Sequence, residues 1–410
     1  MNKIKKLFYM LLDKGPIFTL KKIIVKIKIS LEGPKVVTIS PAKFEEKGPA
    51  LEGKPSIKAI AFYLPQFHRF PENDAWWGEG FTEWTNVRRS KPMFPGHIQP
   101  EEPHPSLGYY NLDDVEVMRK QAELAKHYGI YGFCFHHYWF SGKRLMEKPV
   151  DQLLATPSID IPFCLNWANE NWTRRWDGAE HEVLIAQNHS PEDDEAFMVD
   201  VLRYFRDPRY IRIQGKPLFL VYRPDILPDM RKTLSRWKSV CKRYGENEPY
   251  FVMCMSFTNS DPQKFGFDAA VQFPPHRPWE GGESNTIYPA TVKGKDKNFH
   301  GTLFAYEDLE KSALRSLAKD IIPCVVPSWD NTPRRLYASS IYSGSSPEIY
   351  KDWFIKACQF SHSSHSEPLV FINAWNEWAE GAHLEPSKAY GYAYLNATGA
   401  VLKEFIKIEN

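Results

Sequence analysis

Glu377 and Glu380 stand three residues apart in "INAWNEWAEGAHLEP" (372–386), directly after an apolar run. In an extended chain the two side chains would point to opposite faces. If the strand ends near Asn376 and the backbone then turns helically, residues i and i+3 share a side, with Cβ atoms about 5–6 Å apart. Two carboxyl groups at that spacing suit retaining glycoside chemistry, which uses roughly 5–5.5 Å, rather than the wider gap that admits an inverting water. One would protonate the leaving oxygen and the other would act as nucleophile or base. Mutual repulsion and burial under Trp375 and Trp378 would raise at least one pKa, as a general acid requires. By spacing alone the pair is equally open to being surface acids, or a cap for the last helix.

Other stretches carry groups suited to sugars, which present apolar C–H faces and polar rims. "NWANENWTRRWDG" (166–178) sets Asn166, Asn169, Glu170, Arg174, Arg175 and Asp177 among Trp167, Trp172 and Trp176. Aromatic faces beside amides, carboxylates and guanidinium groups serve both parts of a sugar. The rival reading is a loop folded on its own ion pairs. "AWWGEGFTEW" (75–84), with Trp76, Trp77, Glu83 and Trp84, is a weaker candidate of the same kind. His136 and His137 adjoin on an apparent strand and so face opposite sides. They cannot share one metal ion, and no metal is expected; one of them should face the site.

These groups need a scaffold. Apolar runs at 57–65, 130–138, 161–168, 217–223, 250–256, 269–273, 321–329 and 368–375 alternate with helical patterns at 113–129, 190–205, 230–245, 306–319, 346–361 and roughly 388–407. Ser190-Pro191 is a helix start, with the N-cap serine ahead of a proline at the first helical position. Eight near-continuous apolar strands interleaved with helices predict a parallel sheet buried on both faces. Eight units favour a (β/α)8 TIM-like barrel with long βα loops over an open doubly wound sheet, which remains the alternative. In a barrel the site gathers at the C-terminal ends of the strands. Polar residues follow the apolar runs there: Gln66 and His68; His136, His137 and Tyr138; Asn166, Asn169 and Glu170; Tyr222 and Arg223; Gln272; Asp330 and Asn331; Asn376, Glu377 and Glu380.

Composition narrows the class. With 52 basic against 50 acidic residues the net charge is +2, which gives no reason to expect a nucleic-acid partner. No GxGxxG follows a strand, and neither GxxxxGK[ST] nor GxSxG occurs. Six cysteines lack CxxC spacing, and three of them lie in expected strands, so buried thiols in a reducing cytoplasm are expected. No apolar signal-peptide core opens the sequence, and no run of 18 apolar residues is present. Residues 1–30 carry eight lysines and one acid, with Ile4, Leu7, Phe8, Leu11 and Leu12 at helical spacing. Such a segment suits the inner face of an anionic membrane; a solvated arm or a docked helix fits as well. Residues 1–55 are taken as this extension and a linker, and 56–410 as the catalytic domain.

Four motifs carry a resemblance: "AFYLPQFHRFPENDAWWGEGFTEWTNV" (61–87), "YGIYGFCFHHYWFSGKRLME" (128–147), "FCLNWANENWTRRWDG" (163–178) and "FINAWNEWAEGAHLEP" (371–386). They resemble the WbsX-type proteins of bacterial surface-polysaccharide gene clusters, whose domain is similar to the family-99 endo-α-mannosidases. The resemblance spans roughly residues 56–400. It implies a barrel, retention of configuration, no cofactor in the chemistry, and an oligosaccharide or polysaccharide substrate, lipid-linked if the precursor is the target. It also implies roles. Glu377 would deprotonate the sugar's own 2-hydroxyl, which attacks to form a 1,2-anhydro intermediate, and Glu380 would act as general acid and then base. The binding residues expected around them are Gln66, His68, Trp84, His136, His137, Tyr138, Asn166, Asn169, Glu170, Trp172, Arg174, Asp177, Tyr222, Asp330, Asn376 and Trp378. Glycosyl transfer, endo-hydrolysis and a non-catalytic glycan-binding barrel remain distinct outcomes.

Overall fold

A β-strand buried on both faces needs no alternation of polar and apolar residues, and the eight strands that make the central sheet are near-continuous apolar runs. The computed structural model describes residues 41–174, 179–187, 189–258, 261–276 and 294–406. Among these, eight parallel strands follow one another round a ring: β1 (Lys58–Tyr63), β2 (Gly132–Phe140), β3 (Phe163–Trp167), β4 (Lys216–Val221), β5 (Tyr250–Met255), β6 (Ala269–Gln272), β7 (Ile321–Ile322 and Cys324–Val325) and β8 (Leu369–Ile372). Register is set by pairs such as Ile60 with Gly132 and Ile60 with Phe371.

Closure falls on β7. Ile321–Ile322 pairs with β6, whereas Cys324–Val325 pairs with β8. The sequence suggests one unbroken strand over 321–329; Pro323, which has no N–H, divides it. The proline carbonyl still accepts from Phe371 N at 2.9 Å. The strand order therefore runs from β7 through the sheet and back to β7, and the open doubly wound alternative is excluded.

Helices fill the connections: α1 (Val115–His127), α2 (Lys148–Ala155), α3 (Pro191–Phe205), α4 (Met230–Arg243), the single turn α5 (Pro262–Phe265), α6 (Tyr306–Arg315), α7 (Pro347–Ser364) and α8 (Ala393–Lys403). Ser190 and Ser346 cap α3 and α7 by accepting from Asp193 N and Ile349 N. The expected helix over 388–407 begins later, at Ala393. Residues 387–391 form a turn instead, and Gly391 (φ 58°) lies so close to Glu45 that a Cβ there would sit 2.1 Å from its carbonyl oxygen. The stretch read as a linker is tied down over its second half: Glu45 N donates to Tyr390 O at 3.1 Å and Leu51 N to His127 O at 2.8 Å. The lysine-rich residues 1–30 lie outside the described residues. All six cysteines are free and buried. No helix among the described residues is long and apolar enough to cross a membrane.

Candidate active site

Beyond β8 the chain turns back on itself. Asn376–Glu377 pairs antiparallel with Ala382–His383, and Trp378–Glu380 forms a 3-10 turn between them, closed by Gly381 in the left-handed region (φ 61°). A Cβ on Gly381 would lie 2.9 Å from Asp330 N, so the turn can press against the segment leaving β7 only with glycine there. This turn brings Glu377 and Glu380 to one side, where a single guanidinium meets both. Arg334 Nη2 lies 2.5 Å from Glu377 Oε1, and Arg334 Nη1 lies 2.5 Å from Glu380 Oε1. A third carboxyl, Glu83 Oε1, stands 3.3 Å from Nη2. Glu83 opens the helix Glu83–Arg89 and is fully buried.

Three carboxylates on one cation make an unusual electrostatic environment. Burial pushes Glu377 well above the ordinary carboxylate range; the charges of Glu380 and Glu83 add to this, and Arg334 opposes it. Burial likewise raises Glu83. For Arg334 burial works the other way, but the surrounding carboxylates outweigh it and keep the guanidinium protonated.

The pair opens on a cavity of about 430 Å³ at the C-terminal ends of the strands. Gln66, His136, Tyr138, Glu170, Trp172 and Tyr222 line it as expected positions, together with Arg334, Arg335, Phe257, Phe273 and His276. His136 is held as a neutral ring at the cavity floor. Burial lowers its pKa to about 4, and Asn166 Nδ2 donates to its Nδ1 at 3.2 Å, which leaves the proton on Nε2. Asn166 Oδ1 in turn faces the Cys254 thiol at 3.6 Å.

Several expected binding residues prove to be supports. His137 faces away under α3, between Phe197 and Tyr204, with its pKa lowered by burial to about 3. His68 is buried and its Nδ1 donates to Pro65 O at 2.8 Å. Trp84 donates to Tyr110 O at 2.7 Å from within the core, and Trp378 stacks on His383 at 3.6 Å. Neither ring reaches the cavity, because the turn that aims the glutamates forward aims Trp378 back. Asp330 accepts from His97 Nε2 and Gln99 Nε2, each at 2.6 Å, and from Thr332 Oγ1 at 2.5 Å; it lashes the 93–101 loop to the end of β7. Asn376 and Asn169 do the work of backbone. The Asn376 amide accepts from Leu64 N at 2.8 Å and donates to Leu64 O at 3.0 Å, and Asn169 treats Arg223 N and O in the same way at 2.8 Å each. Removing either amide would orphan a buried peptide unit, so Asn376→Ala should lower stability by about 1–3 kcal/mol in denaturant unfolding. Arg174 lies in a strand that pairs antiparallel with Ala179–Ile185, and Asp177 lies outside the described residues.

Glu385 underpins the turn. Its carboxylate accepts from Trp378 Nε1 at 2.7 Å, Gln121 Nε2 at 2.6 Å and Tyr110 Oη at 2.9 Å. Despite these donors, burial pushes its pKa up to about 7. A carboxyl raised in the folded state contributes stability that is complete below the unfolded pKa near 4.3 and is lost as pH rises through about 7. Thermal unfolding of Glu385→Gln followed from pH 4.5 to 7 should therefore lack a downward slope that the wild type shows, on the order of 3 kcal/mol across the window.

Among the described residues no group of three or more His, Cys, Asp and Glu side chains is arranged to hold a metal ion. Arg334 was not anticipated. Its signal lay in "WDNTPRRLY", immediately after the seventh strand, where Asp330 and Asn331 had already marked a polar strand end.

A family model described as "Glycosyltransferase WbsX" matches residues 59–398. The chain belongs to the WbsX glycosyltransferase family. Two curated relatives from Xanthomonas campestris pv. campestris, strains B100 and ATCC 33913, each named "Uncharacterized protein WxcX", are 47% identical over 351 residues. That is 84% of this chain but 49% of theirs, so the chain spans about half the length of the curated relatives it matches. The WbsX chain also shares its fold with a solved GH99 endo-alpha-mannosidase from Bacteroides thetaiotaomicron (TM-score 0.52, 17% identity, 85% of this chain and 97% of that one). A structure described as "Glycoside hydrolase-like protein" aligns with TM-score 0.52 at 15% identity, over 89% of this chain and 98% of that one.

Proposed function

We propose that this WbsX-family protein is a retaining carbohydrate-active enzyme that transfers glycosyl groups during assembly of a bacterial surface polysaccharide, with Glu377 and Glu380 as its acid–base pair. The observation that carries this reading is the convergence of both carboxyls on one guanidinium at the wall of a cavity fit for sugars. Two oxygens held 2.5 Å from the two Nη atoms of one guanidinium stay close to each other, which favours the close carboxyl spacing of roughly 5–5.5 Å used in retention over the wider inverting gap. Glu377, raised by burial, takes the proton from the sugar's 2-hydroxyl, whose oxygen attacks the anomeric carbon as the glycosidic bond breaks. Glu380 gives its proton to the departing oxygen, then recovers one from the acceptor hydroxyl that opens the 1,2-anhydro ring, while Glu377 returns its proton to the 2-oxygen. The neutral His136 and the Gln66 and Tyr138 side chains orient hydroxyls. A lipid-linked acceptor at the cytoplasmic face of the membrane completes the proposal, and the lysine-rich residues 1–30 would supply surface contact there.

Endo-hydrolysis is the second reading, favoured by the fold shared with the endo-alpha-mannosidase; water then replaces the acceptor in the last step. Incubation of the protein with nucleotide sugars and acceptor, and separately with intact polymer, separates them. Acceptor-dependent nucleotide release establishes transfer from a nucleotide sugar. Shortening of the polymer without any acceptor overturns transfer in favour of hydrolysis.

A further inference from the structure

The rim of the cavity carries an aromatic side chain that the acid–base chemistry does not use. Phe257, just past the end of β5, is 46% exposed. Among the described residues it is one of five exposed large apolar side chains, and the one of these that lines the cavity. Its ring is not loose. The Arg223 guanidinium lies over it at 4.1 Å from the centroid, and that guanidinium is fixed by Asp225 through Nε and Nη2 at 2.9 Å each and by Glu170 through Nη1 at 2.5 Å. Tyr222 meets the ring edge-on at 6.3 Å, and His276 lies 4.9 Å away.

We infer that Phe257, braced by Arg223, is the platform of an outer sugar subsite that takes the apolar C–H face of a hexopyranose residue beyond the one attacked by the glutamate pair. Tyr222, which meets Phe257 edge-on, lines the same cavity as Phe257 and the glutamate pair. An exposed ring costs free energy in water, and that cost is recovered when a partner covers it. The arginine brace removes the rotamer freedom that stacking would otherwise have to remove, so the platform is pre-organised. Arg223 between Glu170 and Asp225 leaves one net negative charge beside the ring, which disfavours an anionic ligand and admits an uncharged sugar. The cavity volume of about 430 Å³ falls within the ~300–1,000 Å³ of pockets that enclose more than a single small ring. The inference rests on the carbohydrate reading of the cavity and adds a minimum substrate length to it: at least two consecutive sugar units are held.

Length dependence of binding tests it. The full chain carrying Glu377→Gln, so that no probe is consumed, is titrated calorimetrically with α-1,2-, α-1,3- and α-1,6-linked mannotetraoses and with the monosaccharide methyl α-mannoside. Adding Phe257→Ala should weaken the best tetrasaccharide about tenfold while leaving the monosaccharide within about twofold, and Phe257→Trp should restore the tetrasaccharide. Equal weakening of both lengths, no weakening of either, or failure of the tryptophan to restore binding overturns the subsite while leaving the cavity a sugar site. Absence of binding by every probe to the Glu377→Gln protein overturns the sugar reading of the cavity itself, and the subsite with it.

Discussion

Glu377→Gln and Glu380→Gln, made separately, should each lower turnover by about 10²–10⁴-fold with KM nearly unchanged, since each removes a proton transfer made in the transition state. The two should differ in their pH profiles. Glu377 sits above the ordinary carboxylate range because of burial, so activity that needs its ionised form rises with pH through that elevated value. Glu380→Gln leaves this acidic limb in the residual activity, and Glu377→Gln abolishes it. Kinetics across pH 4 to 9, with thermal unfolding of each variant alongside, check the assignment. Two folded variants that still deliver wild-type polysaccharide would instead make the molecule a glycan-binding barrel.

Arg334→Met should be the most damaging single change for stability. It leaves Glu377 and Glu83 buried without their cation, and breaking a buried ion pair by removing one partner costs about 3–5 kcal/mol. Activity should fall with it, because the guanidinium no longer fixes the two acids side by side. Arg334→Lys should not rescue either property: an ammonium is a single point, whereas Nη1 and Nη2 here address different carboxylates. Denaturant unfolding and assay of both variants decide the matter. Near-native stability of the lysine variant would show that charge alone suffices.

The barrel was legible because strands buried on both faces announce themselves as unbroken apolar runs, and because strand ends must carry the site. The alternation of His136 and His137 was legible for a similar reason: adjacent strand residues point in opposite directions. Trp84 and Trp378 were expected at the sugar site because aromatic rings beside polar neighbours suit a sugar. Those neighbours, Glu83 and Glu377, are themselves buried, so the local polarity reported an internal network and not a surface. Asn376 and Asn169 lie in the right place, yet they bond to backbone across neighbouring strand ends, a partner that sequence spacing does not reveal. Arg334 escaped because its importance depends on how residues 329–340 fold back toward the turn after β8, which is a matter of tertiary path.

The cation and its acids ride on different pieces of backbone. Arg334 is carried on the turn Thr332–Arg335 leaving β7, and Glu377 with Glu380 on the turn leaving β8. Their attraction varies inversely with separation, so a shift of one turn relative to the other retunes how readily Glu377 gives up its proton. The proton affinity of the site is thereby coupled to the positions of two loops, and under the proposed function a sugar that drew them together or eased them apart would also adjust the base it meets.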